Sequence, residues 1–247
     1  MIDMTLQVLG SSSQGNCYIL DNGSEALILE AGIRPNEVKK ALGFNIRKVV
    51  GCCVTHQHND HARYLKVMAG LFHTLALPEV WASKQEAYSD GLHAIGIVPG
   101  QTYKLGNFLA LPFMVEHDVP CVGYLVRHPD IGQLFFATDT CTCDYEVPGL
   151  NHILIECNYS VDALSKAIRE GRTDQSQVVR LSKSHMEFTS TKEFLGRNEL
   201  SKVSEIVLIH LSGNNSDREL FVEDIQAMTG KPTYAAYPGM RIDLSTV

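Results

Sequence analysis

Thr55-His56-Gln57-His58-Asn59-Asp60-His61 packs three imidazoles and a carboxylate into the six residues 56–61. The residues before it, Lys48-Val49-Val50-Gly51-Cys52-Cys53-Val54, form a short apolar run rich in β-branched side chains, as expected of a buried strand that carries the chain from core to rim. Those after it, 62–71, have apolar residues at helical spacing. The histidines therefore stand at a strand-to-helix junction. His56 and His58 project together from an extended segment, while Asp60 and His61 fall where the chain turns into the helix. Two ligand pairs facing one cleft suit two adjacent divalent ions, and imidazole with carboxylate favours zinc, with manganese or iron also admitted.

At 247 residues and 45% hydrophobic, the chain is long enough to bury a sizeable core, and no linker divides it, so residues 1–247 read as one domain. A net charge of −7 without a long Lys/Arg run argues against electrostatic wrapping of nucleic acid over a broad surface, though it leaves room for a local basic groove. The seven cysteines are odd in number and mostly embedded in apolar runs, which predicts reduced, buried thiols. With no basic, apolar leader at Met1 and no stretch long enough to span a bilayer, the expectation is a cytoplasmic protein without membrane contact.

Working outward, residues 5–9 alternate like a first strand. Gly10-Ser11-Ser12-Ser13-Gln14-Gly15-Asn16 reads as a small-residue loop able to bring backbone amides and hydroxyls to an anion, with Ser12, Ser13 and Asn16 as candidate substrate contacts. Residues 17–20 and 26–29 read as strands, the latter ending in Glu30-Ala31-Gly32, and Pro35 opens a helix to about residue 42. Past the histidines, 79–82 reads as a strand and 84–92 as a helix. Further apolar strands at 108–116, 122–126, 133–138, 152–155 and 203–209 follow, several ending in a ligand-type side chain: His117, Asp139, Glu156 and His210. Helices are expected at 161–169, 175–181, 191–195 and 217–228, with a closing strand at 233–237. Strands in blocks with interleaved helices predict an α/β fold of two sheets packed face to face with helices outside. His73, His93, His128 and His152 have no ligand context.

Taken together, His56, His58, Asp60 and His61, then His117, Asp139 and His210, resemble the metallo-β-lactamase superfamily. The resemblance runs over nearly the whole chain and implies a four-layer αββα sandwich with a dinuclear metal site on the sheet edge. It implies His56, His58 and His117 on one ion, Asp60, His61 and His210 on the other, and Asp139 bridging. Leu154-Ile155-Glu156-Cys157-Asn158 followed by Ser184-His185 is similar to the phosphodiesterase branch that includes ribonuclease Z, where a glutamate and a histidine form a proton-donating pair. The stretches 9–17 and 209–215 look most like YycJ-type proteins, whose known activity is DNA exonucleolytic. Two residues depart from the superfamily pattern: Glu30 where aspartate is usual, expected to orient a ligand histidine, and Cys141 where glycine is usual, expected to pack.

These matches imply a metal-bridging hydroxide as nucleophile, oriented by Asp60, with His185 held by Glu156 to protonate the leaving alkoxide. The expected partner is a phosphodiester, either a DNA end or a small nucleotide. Ser212, Asn214 and Asn215 are further candidate substrate contacts, read equally well as a helix-capping turn. A small or cyclic phosphodiester hydrolase and a thioester or lactone hydrolase of glyoxalase type are the alternatives, and self-association is left open. No Gly/Pro-rich insertion resembles the tRNA-gripping arm of ribonuclease Z.

Overall fold

The computed structural model describes residues 4–84 and 93–244. The first part of the chain builds one sheet. β1 (Thr5–Ser12) and β2 (Gly15–Asp21) form a hairpin, followed by β3 (Ala26–Leu29), α1 (Pro35–Ala41) and β4 (Val49–Cys53). Next come α2 (Asn59–Ala62), α3 (Leu65–Ala69), β5 (Thr74–Ala76), α4 (Pro78–Ser83) and β6 (Ala94–Gly96). A second sheet uses β7 (Tyr103–Leu105), β8 (Phe108–Val115), β9 (Cys121–His128), β10 (Gly132–Ala137) and β11 (His152–Glu156). After α5 (Val161–Arg169), α6 (Gln177–Ser184) and α7 (Phe188–Arg197), that sheet gains β12 (Glu205–Ile209) and, past α8 (Arg218–Thr229), β13 (Thr233–Ala235). The last strand, β14 (Arg241–Asp243), crosses back to pair with β1. Among the described residues the strand orders are β14-β1-β2-β3-β4-β5-β6 and β13-β12-β11-β10-β9-β8-β7.

The period of two in the second sheet explains the layering. Phe136, Leu154 and Val207 face a core shared with Leu20, Ile28 and Cys52 of the first sheet, while Phe135, Ile153 and Ile206 face Phe194, Phe221 and Ile225 of the helices. Strands buried on both faces need apolar residues on both, which 153–155 and 206–209 supply between the charged or polar residues at the strand ends. Tyr18 and Phe136 meet edge to face across the two sheets, with ring centroids 5.5 Å apart. Helices cover both outer faces, giving the expected αββα sandwich.

Strand direction positions the site. β10, β11 and β12 are mutually parallel, and β8 runs the same way because both β8 and β10 are antiparallel to β9. β3 and β4 are likewise parallel to each other. Their carboxyl ends deliver His117, Asp139, Glu156, His210, Glu30 and the 55–61 loop. Three of these residues, Glu30, Asp139 and His210, adopt left-handed backbone conformations with φ of 73°, 50° and 54°. That conformation costs a non-glycine residue about 1 kcal/mol or more, and here it turns the chain sharply where each strand ends.

Several local expectations are corrected. Residues 79–82 are helix rather than strand: Pro78 at the first helical turn and Glu79 beside it start α4, overriding the strand propensity of Val80 and Trp81. The 10–16 segment is the end of a hairpin, with Ser11 opposite Asn16 and Ser12 opposite Gly15. The α6 helix runs to Ser184, and α7 begins at Phe188, capped by Glu187. Strands β5, β6, β7 and β14 span three residues each, too short to show a hydrophobic period. Residues 85–92 of the expected 84–92 helix lie outside the described residues.

Candidate metal centre

Three overlapping four-residue clusters form at the strand ends among the described residues; two of them, His56-His58-His117-Asp139 and Asp60-His61-Asp139-His210, hold the expected ligands, and Asp139 is also in the third, with Glu156, His185 and His210. In each, one potential ligand atom per residue lies within 4.8 Å of every other. The structure thus brings together all seven residues singled out from the sequence.

Each histidine has one ring nitrogen directed into the cluster and the other turned to an outer partner. His56 Nδ1 lies 2.9 Å from Thr55 Oγ1, which itself donates to Glu30 Oε1 at 2.6 Å. His117 Nδ1 donates to the Ser184 carbonyl at 2.9 Å. His61 Nδ1 lies 3.3 Å from Glu30 Oε1, His210 Nδ1 lies 3.1 Å from Glu156 Oε1, and His58 Nε2 lies 3.5 Å from Asp118 Oδ1. Where the outer partner accepts a hydrogen bond, as for His56, His117 and His210, it selects the tautomer that leaves the inner nitrogen with a free lone pair; His61 Nδ1 has no hydrogen-bond partner among the described residues. On the inner side, His58 Nδ1 lies 3.0 Å from His56 Nε2 and 3.2 Å from His117 Nε2. Asp118 Oδ1 stands at the mouth, 3.0 Å from His117 Nε2. His210 Nε2 is buried and has no hydrogen-bond partner among the described residues, its nearest carboxylate oxygen being Asp60 Oδ2 at 3.4 Å. Converging lone pairs and an orphaned buried nitrogen are costly unless a cation joins them.

Electrostatics point the same way. Burial opposes the charged form of Asp139, yet His210 and His61 hold its carboxyl well below the usual range. Burial likewise opposes the charge on Asp60, but the His210 and His61 imidazoles, each with Nε2 3.4 Å from Oδ2, hold its carboxyl below the ordinary range. Burial would strip the proton from His210, but Asp139, Asp60 and Glu156 push its pKa up to about 10. Burial and the neighbouring His61 keep His56 neutral. Four carboxylates, Glu30, Asp60, Asp139 and Glu156, set around these imidazoles demand positive charge, and nitrogen and oxygen donors in two sets of four fit two divalent ions.

Beside the second cluster, His185 Nδ1 donates to Glu156 Oε1 at 2.8 Å. Burial lowers the pKa of His185, but the Glu156 carboxylate more than offsets this and raises it above the ordinary imidazole value. Glu156 is wholly buried, and its other oxygen accepts from the backbone amides of Thr140 (2.9 Å) and Met186 (3.1 Å).

A cavity of about 210 Å³ adjoins His185 and His210 and is lined by Ser12, Ser13, Ser212 and Asn215, together with Gln177 and Arg180 of α6. Asn16 is fully buried. Its amide donates to the Ser12 carbonyl at 3.1 Å and lies 2.9 Å from His61 Nε2, so its contacts are with the metal-site residues. The Asn214 side chain donates to the Arg172 carbonyl at 3.1 Å, and Asn215 Oδ1 accepts from Thr173. Sequence reasoning missed Thr55, Asp118 and Arg180. The first two adjoin ligand-type histidines and could have been flagged by position; Arg180 carried no signal. Glu30 holds Thr55 and His61, and the longer side chain still reaches both. Cys141 is half-buried with its Sγ 3.6 Å from Glu116 Oε2, and burial together with that carboxylate pushes its thiol up. Of the histidines set aside, His128 pairs with Glu25 and His152 with Glu205.

Residues 11–74, from the β1–β2 hairpin through the histidine loop, match the family model of the metallo-beta-lactamase superfamily. Residues 11–74 carry the match to a metallo-β-lactamase superfamily domain. Among curated relatives of this superfamily domain, the exodeoxyribonuclease YycJ of Bacillus anthracis is 27% identical over 231 residues, covering 86% of this chain and 84% of that protein. The exodeoxyribonuclease WalJ of Streptococcus pneumoniae is 25% identical over 232 residues, covering 89% and 86%. Among solved structures, the metallo-beta-lactamase fold protein YhfI of Bacillus subtilis superposes with a TM-score of 0.74 at 16% identity, covering 98% of this chain and 99% of that one. The fold implies divalent metal ions. No helix among the described residues is long and apolar enough to cross a membrane.

Proposed function

We propose that this protein is a dinuclear metal-dependent phosphodiesterase that degrades DNA from its ends. The enzyme class, a metal-dependent hydrolase, follows from the superfamily; the bond cleaved is the proposal. The observation that carries it is the Glu156–His185 pair set directly against the second donor cluster. Thioester hydrolysis expels a thiolate and has no need of such a donor, whereas phosphodiester cleavage expels an alkoxide and does. The exodeoxyribonuclease names of YycJ and WalJ support DNA over a small or cyclic phosphodiester.

His56, His58 and His117 would hold one ion, Asp60, His61 and His210 the other, and Asp139 both. Zinc and manganese suit these donors best, with iron also compatible. Two such ions supply an activated water at neutral pH and neutralise charge on the phosphate oxygens. Asp60, still in reach of His61 and His210, orients the attacking water. His185 keeps one proton on Nδ1 for Glu156 and presents Nε2 to the cavity, where a second proton can pass to the leaving oxygen. Glu156 stabilises the charge that His185 carries before transfer. Ser12, Ser13 and the Ser212 turn flank the substrate. The whole chain serves as one domain, and its seven free thiols support a reducing, cytoplasmic setting.

The test is to present the zinc- or manganese-loaded protein in parallel with end-labelled DNA, bis(p-nitrophenyl) phosphate, a thioester and a lactam. Degradation of the first two alone is expected. Turnover of the thioester or lactam alone would replace the reading.

A further inference from the structure

The cavity beside His185 has a chemistry of its own. No carboxylate among the described residues lines it, although the chain carries 28 acidic residues. Arg180 of α6, an exposed arginine, forms part of the wall and makes no ion pair with a carboxylate among the described residues. The Ser12 hydroxyl accepts from the Gln14 amide and that of Ser212 from the Asn215 amide, both at 3.3 Å, so the proton of each is free to be donated. Asn158 supplies an orphaned acceptor. Its amide nitrogen donates to the His210 carbonyl at 2.7 Å, which can only accept, and this fixes Oδ1 as a buried oxygen without a partner among the described residues. A cation and two free hydroxyl donors suit an oxyanion, and a buried lone acceptor suits an N–H or O–H of the same ligand.

We propose that this cavity binds a second, non-scissile phosphate of the substrate, carried on the leaving nucleoside, with Arg180 as its principal partner. The site stands on the leaving-group side because His185, the residue aimed at the leaving oxygen, forms part of its wall. The inference rests on the phosphodiesterase reading and sharpens it: the substrate carries two phosphates one nucleoside apart, which a simple cyclic phosphodiester does not. Arg180 is a binding residue here, and its guanidinium can engage two phosphate oxygens at once.

Thymidine 3′,5′-bisphosphate spans the two positions, and its calorimetric binding to the metal-loaded protein reads the cavity without turnover. It is expected to bind at least tenfold tighter than either thymidine monophosphate, and Arg180→Gln is expected to erase that advantage while leaving the monophosphates within twofold. In hydrolysis, a thymidine dinucleotide phosphorylated at one of its two ends is expected to be cleaved about tenfold faster than the unphosphorylated form. Arg180→Gln should remove that preference, and a thermal unfolding midpoint equal to that of wild type certifies the fold. A bisphosphate that binds no tighter than the monophosphates, or a preference that survives Arg180→Gln, overturns the proposal. The expected binding pattern without hydrolysis of any dinucleotide would leave the cavity assignment standing and remove the phosphodiesterase reading alone.

Discussion

Glu156 Oε1 lies 2.8 Å from His185 Nδ1, and the same oxygen lies 3.1 Å from Nδ1 of His210. One buried carboxylate oxygen therefore steadies both a histidine of the second metal cluster and the histidine read as proton donor. Glu156→Gln should thus damage two functions at once. Expected is partial loss of the second ion by metal analysis, together with loss of turnover on every phosphodiester, activated or not. Two full equivalents of metal and normal turnover in the Glu156→Gln variant would deny Glu156 its double role.

The Glu30–Thr55–His56 chain predicts a remote effect on metal affinity. Thr55→Val keeps the shape of the side chain but removes the hydroxyl that joins Glu30 to His56. Competition against a chelator should show affinity falling about 10- to 100-fold, as is typical when the outer partner of a ligand histidine is lost. Unchanged affinity would mean that Thr55 serves only packing.

Gly32 is a matter of space. A Cβ at this position would lie 1.7 Å from the Asp60 carbonyl oxygen and 2.7 Å from the Asn16 amide nitrogen, both backbone atoms that cannot step aside. Gly32→Ala should therefore cost ~3 kcal/mol or more in denaturant unfolding, and it should displace the loop that carries Asp60 and His61. Wild-type stability in the variant would contradict this packing.

Far from the metal centre, Glu25 gives a pH-dependent prediction. Burial raises its carboxyl, but the hydrogen bonds from His128 (2.8 Å) and from the Asn107 backbone and side chain (3.0 and 2.7 Å) outweigh it and leave the folded pKa below the ordinary value. A depressed folded pKa adds stability above the unfolded carboxylate range, and that stability is lost as pH falls through the folded pKa. Glu25→Gln should cost about 1 kcal/mol at pH 7, with the difference from wild type closing below about pH 4. A difference that stays constant down to low pH would assign the loss to shape and not to charge.

The site was legible where a ligand-type residue ends a strongly apolar strand. Asp139, Glu156 and His210 could be read that way, because parallel strands share an edge and the hydrophobic run marks where that edge is. The 55–61 loop was legible from composition alone. What escaped depends on tertiary placement. Arg180 lies within the 175–181 helix expected from its pattern, but its place in the cavity wall depends on how α6 packs beside His185 and His210, which no local pattern shows. Asn16 is spent on His61 through pairing of the β1–β2 hairpin, which a Gly/Ser-rich stretch conceals. The misread 79–82 segment shows Pro78 outweighing Val80 and Trp81, a case of helix-start geometry prevailing over strand propensity.

The central claim is that His185, held by Glu156, protonates a phosphodiester's leaving alkoxide, and His185→Ala tests it most directly. Rates for the metal-loaded wild-type and variant proteins should be compared on end-labelled DNA and on bis(p-nitrophenyl) phosphate, whose nitrophenolate leaves without a proton. The expected result is a loss of about 10²- to 10⁴-fold on DNA and little loss on the activated ester. Equal losses on the two substrates, or a wild-type protein that leaves DNA intact, would contradict it.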